Sequence, residues 1–105
     1  MSRPSARFTQ TPNNRLRYML DYSLELNPGE TVASIATPTI VPGTVPPSSP
    51  ALVVNGVVIA SDGAHVVYFV SGGGAPGTYE VQFLATTSIG QILEDVVVYT
   101  ILGDL

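Results

Sequence analysis

The sequence predicts an all-β sandwich. Apolar and polar residues alternate with period two over several stretches, turn-forming residues recur about every ten positions, and no stretch repeats with the 3.6-residue period of a helix. With 105 residues the chain suits a single domain with one core, which excludes a two-domain enzyme. Charged residues are only 11% of the chain and apolar residues 45%, so wholesale hydrophilic disorder is excluded and some of this surface needs a cover.

Residues 1–14 hold Ser, Arg, Pro, Thr, Gln and Asn around a lone Phe8 and show no periodicity. They read as an extended N-terminal arm with Phe8 as an anchor, ahead of a domain over 15–105. From Arg15 the pattern becomes strict. Leu16, Tyr18, Leu20, Tyr22, Leu24 and Leu26 alternate with Arg17, Met19, Asp21, Ser23 and Glu25, which predicts a long strand. Asn27-Pro28-Gly29-Glu30 closes it as a turn, and a short strand follows over Thr31 to Pro38.

Residues 42–50, PGTVPPSSP, hold four of the nine prolines and read as a stiff connection, since proline cannot donate to a β ladder. Asn55-Gly56 between two valine-rich runs predicts a hairpin turn, and Asp62-Gly63 a second tight turn. His65 to Val70 forms the next strand. The glycine-rich loop over residues 72–77 leads into Thr78 to Thr86, and Ser88 to Gln91 turns the chain into a final strand, Ile92 to Leu102. In that strand Val97, Tyr99 and Ile101 share one face, while Val96 and Val98 make the opposite face apolar too, so both faces are expected to be covered. About seven such strands describe an immunoglobulin-like β-sandwich, with a small jelly roll as the alternative. Leu24, Val81, Phe83, Val97 and Ile101 are its candidate core.

Charge is segregated. All four basic residues, Arg3, Arg7, Arg15 and Arg17, lie in the first seventeen positions, and all eight carboxylates follow them. An acidic body repels phosphate, so no nucleic-acid face is expected. The arm instead suits an acidic protein neighbour, and Arg3, Arg7, Phe8, Arg15 and Arg17 are its candidate contact residues. Val96 and Val98 are the candidates on the sheet face. The arm is expected to be mobile alone, so that deleting residues 1–14 leaves the melting of the domain unchanged.

Catalytic and cofactor chemistry finds no constellation. There is no cysteine, which removes thiolate zinc sites, disulfides and cysteine nucleophiles. The one histidine, His65, has only Asp62 as a nearby carboxylate in sequence and no nucleophile elbow. The glycine-rich loop precedes a strand in a chain without lysine, unlike phosphate-cradling loops. No metal, cofactor or small-molecule substrate is expected. No run of apolar residues is long enough to span a membrane, and the N-terminus lacks the apolar core of a signal peptide.

The order of motifs resembles a known family. Leu20-Asp21-Tyr22-Ser23-Leu24 running into Pro28-Gly29-Glu30-Thr31-Val32-Ala33-Ser34, then Ser71-Gly72-Gly73, Gly77-Thr78-Tyr79-Glu80-Val81 and Thr86-Thr87-Ser88-Ile89-Gly90-Gln91 with Glu94, is similar to small immunoglobulin-like virion proteins of tailed bacteriophages, of the fibre-to-tail adaptor and minor structural type. The chain differs from that pattern in carrying Tyr22 where tryptophan is common and Gln91 where a basic residue is common. The resemblance implies a non-enzymatic virion protein, made in the host cytoplasm and present in multiple copies. Its implied partners are tail, connector, fibre or capsid subunits, and its main implied role is joining tail fibre to tail or connector. A capsid cement protein on the head is the alternative. A carbohydrate-binding module ranks behind both, since it wants exposed aromatics and only Tyr68 is spare.

Overall fold

The computed structural model describes residues 4–103. Among these residues there are eight strands and no helix: β1 (Pro4–Gln10), β2 (Arg15–Asp21), β3 (Val32–Ile35), β4 (Thr39–Pro42), β5 (Leu52–Ile59), β6 (His65–Gly72), β7 (Gly77–Thr87) and β8 (Ile92–Ile101). They form two sheets. The larger runs β1-β8-β7-β3, with β4 also paired to β7, and the smaller runs β2-β6-β5. The protein is therefore a β-sandwich, elongated to 47 × 26 × 19 Å.

The core follows from the alternation. Val66, Tyr68 and Val70 of β6 face Tyr79, Val81, Phe83 and Ala85 of β7 and Val97, Tyr99 and Ile101 of β8, and all are buried. Intervening residues of β7 point outward, so a strand of alternating burial forms the middle of the larger sheet. The final strand is buried on its inner face as expected, while on its outer face Val96 is buried and Val98 half-buried.

Four expectations meet a different structure. The long strand from Arg15 ends at Asp21. There the Asp21 carboxylate accepts the Ser23 N–H at 2.8 Å, and the Glu25 N–H donates to the Tyr22 carbonyl at 2.9 Å, so local bonds replace the ladder. Tyr22 still reaches the core, but Leu24, expected there, is 96% exposed. Asn55-Gly56 is a bulge within β5 rather than a hairpin turn. Gly56 takes a φ of 63°, and pairing resumes with Val58 opposite Val67. The reversal between β5 and β6 falls at Ser61 to Ala64, where Gly63 has a φ of 69°.

Tyr68, expected to be spare, is fully buried and its hydroxyl meets that of Tyr99 at 2.9 Å. Residues 4–10, expected as an arm ahead of the body, run as β1 in parallel along β8, with Arg7 opposite Val98 and Phe8 opposite Tyr99. Its C-terminal end is tied down by Gln10. That side chain is buried, donates to the Val70 carbonyl at 3.1 Å and accepts the Tyr18 hydroxyl at 2.5 Å. One buried amide thus links β1 to two of the three strands of the opposite sheet, β2 and β6.

Candidate protein interface

Four strands build one row across the outer face of the larger sheet. Arg7 on β1 pairs with Val98 on β8, Val98 with Glu80 on β7, and Glu80 with Val41 on β4. Strand alternation turns these four side chains away from the core together. They line a shallow depression of about 360 Å³ with Pro42 and Thr78. Gly43 also lines it, at a position where a Cβ would lie 2.7 Å from the Thr78 hydroxyl oxygen. The groove is amphipathic, with a cation at one end, a carboxylate in the middle and valines between and beyond.

Phe8 plays a different part. Its ring lies 4.7 Å from that of Tyr18 and 5.7 Å from that of Tyr99, and Tyr18 in turn lies 5.0 Å from Tyr99. It remains 37% exposed, so it closes one edge of the sandwich while showing part of a face to solvent. Desolvation pushes the Tyr18, Tyr68 and Tyr99 phenols upward, Tyr68 to about 12.

Arg15 and Arg17 fall on the outer face of the smaller sheet. The Arg15 guanidinium sits 4.0 Å above the Phe69 ring, and its Nη2 donates to Asn55 Oδ1 at 3.3 Å. Arg17 stands opposite Phe69 on the same face, fully at the surface. Arg7 and the pair Arg15 and Arg17 thus belong to opposite sides of the sandwich. Arg3 lies outside the described residues.

His65 is bracketed by carboxylates, its Nδ1 2.6 Å from Asp62 and its Nε2 3.4 Å from Asp21. Hydrogen bonds from Ser23 hold the Asp21 carboxyl below its ordinary range, and the Ala64 N–H does the same for Asp62. With a carboxylate on each ring nitrogen, the imidazole has no free nitrogen for activating a nucleophile. No group of three or more histidine and carboxylate side chains placed for a metal occurs among the described residues.

One further site has no periodic signal in the sequence. Glu30, 7% exposed, accepts the Asn27 N–H at 2.8 Å and both of its oxygens receive the Gln91 amide, at 3.0 and 2.9 Å. The backbone bond from Asn27, with side-chain bonds from Thr87 and Gln91, holds the Glu30 carboxyl down to about 2. This is a staple between two turns at one end of the sandwich.

Among the described residues the Glu30 and His65 clusters are internally satisfied struts, and the exposed strands carry amphipathic faces of the kind that suits contact with other proteins. The family model described as Podophage GP4 fiber-tail adaptor protein gp77 matches residues 10–100, and the chain belongs to that family. It is a structural protein of a bacteriophage virion, an adaptor between fibre and tail. The match bears out the adaptor reading of the sequence. Comparison with curated proteins finds no match.

Proposed function

We propose that this adaptor grips a virion neighbour through the groove on the outer face of its larger sheet, and that it does so without catalysis or cofactor. The observation that carries the reading is the row Arg7, Val98, Glu80, Val41, which brings a residue of the N-terminal segment and a residue of the final strand into one groove. The N-terminal segment of residues 1–14 supplies the cation and the body over 15–105 supplies the apolar floor. Val96 supports that floor from below the surface rather than touching the neighbour, because it is 5% exposed. The fitting partner presents an acidic side chain beside an apolar one, and meets several copies of the adaptor in the particle. Assembly follows synthesis in the host cytoplasm. Arg15 and Arg17 lie across the sandwich and take no part in this contact.

The test is a paired substitution. Arg7→Glu reverses the cation of the groove and Val98→Asp charges its floor, and both residues are at least partly solvent-facing, so the domain should still fold. Particles assembled with either variant should contain much less of the adaptor, measured by mass spectrometry of purified virions. Normal incorporation of both folded variants would sink the proposal.

A further inference from the structure

We propose that the outer face of the β2-β6-β5 sheet docks a second copy of this chain, about a two-fold axis running along the row Met19, Val67, Val58. The inference stands on this face alone and does not depend on the groove across the larger sheet.

The face is unusually apolar for a sheet whose other side already packs on the core, where the solvent side is ordinarily polar. Met19 is 55% exposed, Val58 57% and Val53 43%, with Val67 and Phe69 between them on β6. Pairing arranges the face in rows. Arg17, Phe69 and Asn55 form one, Met19, Val67 and Val58 the next, and Asp21 with His65 the third. The apolar row therefore lies between a basic row and an acidic one.

That order is what points to a second copy. The outward residues of β2 read Arg15, Arg17, Met19, Asp21, so charge changes sign across Met19. Half a turn about the middle row reverses strand direction while keeping β2 over β2. Arg17 then faces Asp21 of the second copy, Asp21 faces Arg17 of the second copy, and the apolar row meets itself. Such an isologous contact requires self-complementarity, which this face has. A two-fold axis along the middle strand β6 would instead set Arg17 over Asn55 of the second copy and leave Asp21 without a cation opposite it. Arg17 has no ion pair among the described residues, whereas Arg15 is held over Phe69.

Three strands about 4.8 Å apart and eight residues or fewer in length give a face of roughly 400 Å² per copy. A standard stable interface uses about 800 Å² per partner. The pairing is therefore weak in dilute solution and closes where a larger assembly holds copies together.

The chain has no cysteine, so Met19→Cys places a single thiol on the proposed axis. Mild oxidation with diamide should join two copies of this variant at least about tenfold faster than a Leu84→Cys variant, whose thiol lies on the outer face of the larger sheet. Sedimentation at high protein concentration and low salt supplies the second measurement. Arg17→Asp and Asp21→Arg should each weaken self-association about tenfold or more, and an equimolar mixture of the two should restore it, because each charge then meets its opposite. Equal oxidation rates for the two thiols would overturn the proposal. So would a mixture that associates no better than its components. If Asp21→Arg fails to fold through loss of its bond to Ser23, the oxidation comparison decides alone.

Discussion

The Gln91 amide nitrogen lies 3.0 Å from one carboxylate oxygen of Glu30 and 2.9 Å from the other. This single contact ties the turn before β3 to the turn between β7 and β8, residues 61 apart in the chain. Because the Glu30 carboxyl sits at about 2 in the folded protein and near 4.3 when unfolded, the folded state favours the ionised form. Its contribution is fully present above pH 4.3 and is lost as pH falls towards 2. Glu30→Gln should therefore lower the melting temperature at pH 7 and flatten its decline between about pH 5 and 2. An unchanged acid profile in the variant would refute this account.

Replacing Gln91 with Arg should strengthen the same staple by giving Glu30 an ion partner. The expected outcome is a higher melting temperature at neutral pH and low salt, with the gain shrinking as salt is added.

Phe83 is fully buried, with its ring 4.7 Å from that of Tyr68. Phe83→Ala should cost about 3 to 5 kcal/mol, a large share of the stability of a domain this size, read as a shift in the denaturant midpoint. Leu24→Ala, at an exposed position, should shift that midpoint hardly at all.

Removing residues 1–10 strips β1 from β8 and uncovers Tyr99 and Tyr18. The truncated chain should melt well below the full chain, and Phe8→Ala alone should cost about 1 to 2 kcal/mol, less than full burial is worth because its ring is partly in solvent. A truncated chain that melts like the full one would show that β1 adds nothing to the body.

His65→Gln should leave incorporation into particles unchanged, since both ring nitrogens serve carboxylates of the β2 and β5-β6 turns. Loss of incorporation by a variant that still melts normally would give His65 a role beyond this strut.

The sandwich was legible wherever large apolar residues occupied every inward position, as in Tyr79, Val81, Phe83 and Ala85. β1 was not, because its inward positions hold Ala6, Phe8 and Gln10, and only one of these is a large apolar residue. Its place depends on pairing with β8, at the far end of the chain. Asn55-Gly56 misled for a physical reason. A hairpin turn and a β-bulge both want a residue that accepts positive φ, and only the register against β6 tells them apart. The alternation of Arg15 and Arg17 placed them on one face, but their meeting with Phe69 required the pairing of β2 with β6. Glu30 and Gln91 stand in turn motifs that the sequence shows, but their contact leaves no sign there, since a hydrogen bond across so many residues has no period.

The hydrogen-bonded hydroxyls of Tyr68 and Tyr99, like that of buried Tyr22, weigh against the folded state in alkali. These phenols lose their protons less readily when folded than the usual value near 10 allows, so the folded state favours their neutral forms. That preference costs nothing below pH 10 and becomes a growing drive to unfold above it. With no tryptophan to obscure them, the tyrosines are the molecule's own optical label. Phenolate absorbance from the buried tyrosines should rise in step with the loss of β structure, so that alkaline titration reads out the opening of the core.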